Sequence, residues 1–320
     1  MNISEEYCAL MKLDSRKTVG YVLSKLHKEN EKIVVVYADV GSRFDVKGRL
    51  NDRELEIGIS EQSLIPILGG MAHEGFIPYG IAYAPFITMR AADQIRMTAG
   101  QMALNIILIG GSAGLVSGNL GAASLALDDL SVMRAIPNMV IMSPSDSMME
   151  AYMIEEAAKL GKPVYIRLTG NKLSNIYSDY SLFEFGNVIE LCNYGEDAVI
   201  YTTGTVTYNV INAAKRLHEL NINVTVVDIP YIKPLAYTTV ERYGKFPIAF
   251  TVEEHSIIGG LYSAISELVA NNVCQKLVPI GVNDTYLYPD SYPNLLKCVG
   301  LDVEGLVERI KNTIVEYKTM

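Results

Sequence analysis

The chain has 320 residues, 49% of them hydrophobic, with 27 Lys and Arg against 36 Asp and Glu for a formal charge of −9. That length exceeds one ordinary core and predicts about two domains, and the acidic balance without a basic stripe excludes a nucleic-acid surface, which needs clustered Lys and Arg over phosphates. No stretch approaches the roughly 20 apolar residues of a membrane helix, the start lacks the basic and apolar runs of a signal peptide, and Cys8, Cys192, Cys274 and Cys298 show neither metal nor disulfide spacing, so reduced thiols in a cytoplasm are expected.

Along the chain, short β-branched runs alternate with longer amphipathic segments, the pattern of strands joined by crossover helices. Residues 33–37, 104–109, 139–142 and 164–168 read as central strands of a first domain, apolar on both faces as parallel strands covered by helices are. Between 57 and 71 the chain is expected to pass from a buried strand into an apolar helix that carries Leu64, Ile67, Leu68 and Met71 at helical spacing, with Pro66 near its start. Asn, Ser, Tyr and Asp accumulate between 171 and 193. This divides the chain into a domain over 1–175, a linker over 176–192 and a second domain over 193–320. The second domain repeats the alternation, with strands at 198–201, 224–227 and 248–252 and helices including 264–270 and 303–315. The predicted fold class is α/β, two doubly wound domains, each a mostly parallel sheet flanked by helices.

Glu61 stands out because Ile57-Gly58-Ile59-Ser60-Glu61-Gln62 drops a carboxyl onto the first turn of that apolar helix. A carboxyl taken out of water without a cationic partner has its pKa raised and can hold a proton for a ligand nitrogen. The simpler account is an acid favoured by the helix dipole.

The order of motifs shifts the balance toward the first. Gly58-Ile59-Ser60-Glu61-Gln62, Gly69-Gly70-Met71-Ala72 with Glu74-Gly75, and Pro85-Phe86-Ile87-Thr88 with Arg90-Ala91 and Asp93-Gln94-Ile95-Arg96 resemble the pyrimidine-binding domain of transketolases. Arg134-Ala135-Ile136-Pro137-Asn138, Ser143-Pro144 with Asp146, and Pro163-Val164-Tyr165-Ile166-Arg167-Leu168 continue the pattern. Glu253-Glu254-His255-Ser256-Ile257-Ile258-Gly259-Gly260-Leu261 and Gly281-Val282-Asn283-Asp284 resemble the C-terminal domain of that family.

The resemblance implies thiamine diphosphate as cofactor and a glutamate, Glu61 here, that hydrogen-bonds N1′ of the aminopyrimidine. That contact favours the tautomer whose 4′-nitrogen takes the thiazolium proton, the opening step in moving a two-carbon ketol unit from a ketose to an aldose. Phe86, or Tyr83 beside it, sits where the family stacks a ring on the aminopyrimidine, a contact worth about 0.5–1.5 kcal/mol beyond burial; a core Phe under a loop is the alternative. Arg90 and Arg96 lie on the following helix, where an i,i+3 surface pair with Asp93 is the default account; Arg90 is also a candidate for the cofactor site. Arg16 matches a family arginine that reaches a sugar phosphate, although a solvated charge at a helix start would look the same. His255 is the one histidine inside a family motif. It is a candidate for substrate or subunit contact, against the simpler account that it satisfies local backbone groups. No His/Cys cluster has zinc spacing.

Two positions depart from the family. Where transketolases carry a Thr-His-His or Thr-His-Gln run, this chain has Ala123-Ser124-Leu125, with Ser124 as the candidate substrate contact; either the substrate is unusual, or another group substitutes for the imidazole, or turnover is lost. A second phosphate-binding arginine falls near Gly170, with Asn171 and Lys172 as the nearby polar groups that could compensate. The Gly-Asp-Gly signature of the pyrophosphate domain, which holds a divalent cation against the diphosphate, is missing; Asp39 and Asp45 near Gly41-Ser42 are too isolated to replace it. The resemblance therefore implies the C-terminal subunit of a split transketolase. Its N-terminal partner would hold most of the diphosphate and its Mg2+ or Ca2+, in a heterotetramer built around a two-fold pair. Alternatives are a deoxyxylulose-phosphate-synthase-like or 2-oxo-acid-dehydrogenase-β-like subunit, or a non-catalytic regulatory paralogue.

Overall fold

The structure, a computed structural model, describes residues 10–170, 173–272 and 275–319. Cys8, Asn171, Lys172 and Cys274 lie outside those residues. The first half contributes β1 (Ile33–Tyr37), β2 (Glu54–Glu56), β3 (Ile77–Tyr83), β4 (Ile107–Gly111), β5 (Val140–Met142) and β6 (Val164–Arg167). Between them run α1 (Ser15–Glu29), α2 (Glu61–His73), α3 (Ala92–Ile95), α4 (Asp129–Ala135) and α5 (Ser147–Ala157). The second half adds β7 (Ile189–Asn193), β8 (Ala198–Thr202), β9 (Val224–Asp228), β10 (Tyr231–Lys233), β11 (Ile248–Ser256) and β12 (Lys276–Val282). Its helices are α6 (Thr207–Glu219), α7 (Thr238–Tyr243), α8 (Leu261–Asn272), α9 (Tyr292–Cys298) and α10 (Val303–Thr319).

Two sheets result, ordered β10-β5-β6-β4-β3-β1-β2 and β12-β11-β8-β9-β7. Every pairing is parallel except β10 on β5 and β7 on β9, which are antiparallel strands at sheet edges. The two-sheet α/β class read from the alternation is the architecture observed. Strands β1, β4, β5, β6, β8 and β9 are buried along their whole length, which is why their sequences are mostly apolar rather than alternating.

The halves are not separate cores. β10, from the second half, closes the edge of the first sheet, and one apolar cluster runs from Leu64, Leu68 and Ile95 through Met133 to Tyr201, Val227, Tyr243 and Leu261. β7 begins within the segment read as a linker, and Asp146, the N-cap of α5, also accepts from the backbone N–H of Ile176 and Tyr177 at 2.9 Å, pinning that segment down.

One expectation is corrected. The strand before Glu61 is not buried: β2 is the sheet edge, with Leu55 and Ile59 exposed. The helix after it behaves as read. In α2, Leu64, Ile65 and Leu68 are fully buried, each worth about 1.5–3 kcal/mol against exposure, while Ile67 and Met71 pack against the same cluster from its rim.

Candidate functional site

In a parallel sheet every strand ends on the same side, and the crevice beyond the carboxyl ends is where open α/β folds bind ligands. Glu61 follows β2, Tyr83 ends β3 with Phe86 and Arg90 just after it, Ser124 lies in the loop after β4, and Gly170 follows β6. β4, β3, β1 and β2 are consecutive neighbours, so their trailing loops converge although they come from sequence positions far apart.

Glu61 opens α2 and is only 5% exposed. Contrary to the expectation of a carboxyl without a cation, Arg90 Nη1 donates to both of its oxygens at 3.3 Å. Arg90 is not part of the surface pair either; Arg96 alone takes Asp93, at 2.6 Å. Residues 86–90 form a wide π-type turn, a helix irregularity that concentrates at functional sites. Phe86 and Arg90 fall four residues apart on it, and the guanidinium carbon stands 3.9 Å from the ring centroid. Phe86 is half-buried and meets Tyr83 edge-on at 6.3 Å. Arg90 thus lies against the Phe86 ring with its N–H groups on a buried carboxylate.

Tyr83, Phe86 and Ser124 line one cleft of about 80 Å³, together with Arg43, Pro85, Ser112, Ser117 and Leu120. Arg16 stands behind it: Gly170 has φ +80°, and a Cβ added there would lie 3.5 Å from Arg16 Cγ and 3.7 Å from the Ser112 nitrogen. A Cβ there would meet the stem of Arg16 in ordinary van der Waals contact, so it is the positive φ rather than lack of room that favours glycine at 170.

His255 is a correction. It is 0% exposed, so it touches neither substrate nor partner. Its Nδ1 lies 2.7 Å from the Ser256 carbonyl and so carries the proton it donates there, and Nε2 is 3.8 Å from Asp129. Burial pushes the imidazole down to about 4, which keeps it neutral near pH 7. The same buried cluster contains Arg167, donating to Asp129 at 2.9 Å and to the carbonyls of Ala126 and Glu254 at 3.1 and 2.9 Å. Glu253 accepts from the first N–H groups of α8, Leu261 at 2.6 Å and Tyr262 at 2.8 Å. Glu254 accepts from the Leu115 N–H at 2.6 Å and the Tyr292 hydroxyl at 2.8 Å. A Cβ on Gly114, at φ +72°, would collide with that carboxylate. This cluster anchors both ends of the loop over 114–126, which brings Ser117, Leu120 and Ser124 to the cleft.

Arg43, Ser112 and Ser117 line the cleft but carry no motif in the sequence. Their position just after a buried apolar run is the signal available. Among the described residues, no group of three or more His, Cys, Asp or Glu side chains converges as a metal site would require, and no helix is long and apolar enough to cross a membrane.

Comparison with known proteins gives two family matches: "Transketolase, pyrimidine binding domain" over residues 11–175 and "Transketolase, C-terminal domain" over 186–306. A chain from Methanocaldococcus jannaschii, provisionally named a transketolase C-terminal section, is 33% identical over 92% of this chain and 94% of its own length. One subunit of the apulose-4-phosphate transketolase of Actinobacillus succinogenes is 32% identical, over 80% of this chain and 83% of its own. Among solved structures, a split-gene transketolase described as an inactive β4 tetramer superposes with a TM-score of 0.87 at 31% identity, covering 95% of this chain and 99% of that one.

Proposed function

The chain belongs to the transketolase family, as a split subunit with the pyrimidine-binding and C-terminal domains, and on that premise we propose that it transfers a two-carbon ketol unit from a ketose to an aldose together with a separate N-terminal subunit. The family implies thiamine diphosphate, which when bound supplies the carbanion chemistry that breaks and forms the ketol C–C bond.

The observation that carries the reading is the arrangement of Glu61, Arg90 and Phe86. A guanidinium is a flat, N–H-bearing group, and here it makes the two contacts an aminopyrimidine would ask for: a carboxylate at its edge, 3.3 Å away, and an aromatic face beneath it, 3.9 Å away. The residues therefore fit the ring. Glu61 would hold a proton at the ring nitrogen from a site that excludes water; Phe86 would fix the ring plane; Tyr83 buttresses Phe86; Arg90 would move to the edge of the site and stay within reach of the carboxylate. Ser124 replaces an imidazole with a hydroxyl, which can hydrogen-bond the sugar but cannot shuttle a proton near pH 7.

A cleft of about 80 Å³ is far below the roughly 300–1,000 Å³ of a full ligand site, so this chain supplies one wall. The partner would supply the other, with the diphosphate and its Mg2+ or Ca2+. The solved relative described as an inactive tetramer of β chains supports the same division of labour.

The test is calorimetric titration of thiamine diphosphate with Mg2+ into this chain, the partner and their mixture. Tight binding is expected only in the mixture, and micromolar binding to this chain alone would contradict the shared site.

A further inference from the structure

The residues that line the cleft, from Arg43 to Ser124, belong to the pyrimidine-binding domain, and His255 of the C-terminal domain is buried away from it. What the C-terminal domain gives the site is a grip on one loop. Pairing of β11 with β8 stops at Val252, so Glu253–Ser256 project past that neighbour and reach the other domain. Both legs of the loop over 114–126 are held there. The Leu115 N–H donates to Glu254 Oε1 at 2.6 Å, and the Ser256 N–H donates to the Leu127 carbonyl at 2.9 Å. Gly114 and Ala126 pair across the neck between the legs.

Glu254 is itself fixed from several sides. Its side chain is buried, and Oε2 accepts from the Tyr292 hydroxyl at 2.8 Å and the Thr205 hydroxyl at 3.2 Å. Its backbone carbonyl accepts from Arg167 at 2.9 Å. The helix that carries Tyr292 also meets the loop directly: a Cβ on Gly118 would collide with Leu295, and the Asp290 N–H donates to the Gly118 carbonyl at 3.3 Å. A buried carboxylate that accepts at both oxygens resists displacement, because any shift leaves a buried donor unpaired.

We propose that Glu254 is a positioning residue for ketol transfer. Through the Leu115 N–H it sets where the loop over 114–126 presents Ser117, Leu120 and Ser124, so the C-terminal domain tunes the sugar side of the cleft without touching substrate. Glu61, Phe86 and Arg90 follow other strands, β2 and β3, and the cofactor side stays outside its reach. The inference rests on the ketol-transfer reading, and one arm of its test does not.

The quantity to vary is reach rather than charge. Glu254→Gln keeps the length; its amide oxygen still accepts from Leu115 while the Tyr292 and Thr205 hydroxyls turn to accept from its NH2. Glu254→Asp keeps the charge and loses a methylene, and Glu254→Ala loses both. In the two-chain complex, Glu254→Asp and Glu254→Ala are expected to lower kcat/KM for the sugar at least tenfold, with the affinity for thiamine diphosphate within about threefold of wild type. Glu254→Gln should keep most of the activity. A Glu254→Asp complex as active as the Glu254→Gln complex, or a parallel loss of cofactor affinity, overturns the proposal; this comparison stands even where Glu254→Ala does not fold. The independent arm is amide hydrogen exchange of the same complexes. Glu254→Asp should speed exchange over 115–126 at least tenfold and leave α2 unchanged, and unaltered exchange in the loop overturns the inference whether or not the complex turns over. A complex that shows the loop effect but transfers no ketol would reject the activity and leave the hold of Glu254 on the loop standing.

Discussion

Asp129 and Arg167 meet at 2.9 Å with side chains 0% and 7% exposed, whereas Glu61 and Arg90 meet at 3.3 Å with the arginine 48% exposed. The chemical groups are the same; the surroundings differ. Arg167 spends its remaining donors on two carbonyls from different parts of the chain, and Tyr165 donates a further hydrogen bond to Asp129 at 2.7 Å. Arg90 has only the carboxylate and a ring face. A buried pair surrounded by other hydrogen bonds is a fixed joint, since removing one member strands the other charge. In the longer pair the arginine alone is half-solvated and can pass to water when a ligand takes its place on the carboxylate, whereas Glu61, 6% exposed, needs one partner or the other.

The comparison is broken most severely by Arg167→Ala, which leaves Asp129 buried and unpaired. It is expected to cost about 3–5 kcal/mol in chemical denaturation, and a loss under about 1 kcal/mol would show the buried cluster to be dispensable. His255 sharpens the contrast through pH. Its imidazole is held neutral down to about 4, whereas in the unfolded chain it titrates near 6.5. Between those values the unfolded state binds the extra proton, so acidification destabilises the fold. Near pH 4 the full loss would be roughly 3 kcal/mol. Glu253 works in the opposite sense. Burial pushes it up to about 7, so the folded state keeps its proton while the unfolded state loses it, and this group favours the fold as pH falls through that window. The separable prediction is therefore a difference: the stability of wild type relative to His255→Gln should decline as pH drops from 6.5 toward 4. A flat difference would mean that His255 is not held neutral. The smallest effect belongs to Arg90→Ala, which leaves the 6%-exposed Glu61 carboxylate without its cation and is expected to cost about 1–3 kcal/mol; a loss as large as that of Arg167→Ala would erase the distinction between the two clusters.

The parts of this molecule that depend on local pattern are legible in its sequence. The runs at 33–37, 139–142 and 198–201 are apolar throughout and 164–168 is apolar but for Arg167, because their strands are covered on both faces, and each is found as a strand. β3 escapes such a reading because Pro78 and Gly80 interrupt its pattern; Gly80 is needed where Leu68 of α2 presses on the sheet. β10 escapes it because a three-residue edge strand has no period to read. At the site, Glu61, Tyr83, Phe86 and Ser124 can be named from motif resemblance. That Arg90 pairs with Glu61 depends on the π-type turn, which no spacing rule anticipates. Arg43 meets Tyr83 only because β1 and β3 are neighbours, and His255 is buried only because β11 runs between β8 and β12. Strand order is a tertiary fact, and these placements follow from it.

The most direct measurement is ketol transfer by the complex of this chain with its N-terminal partner, comparing wild type with Glu61→Ala at saturating thiamine diphosphate and with assembly checked by sedimentation. The complex is expected to stay intact while its turnover falls by at least about 100-fold, the scale of a lost proton-transfer partner. A variant that assembles and turns over within tenfold of wild type would contradict it.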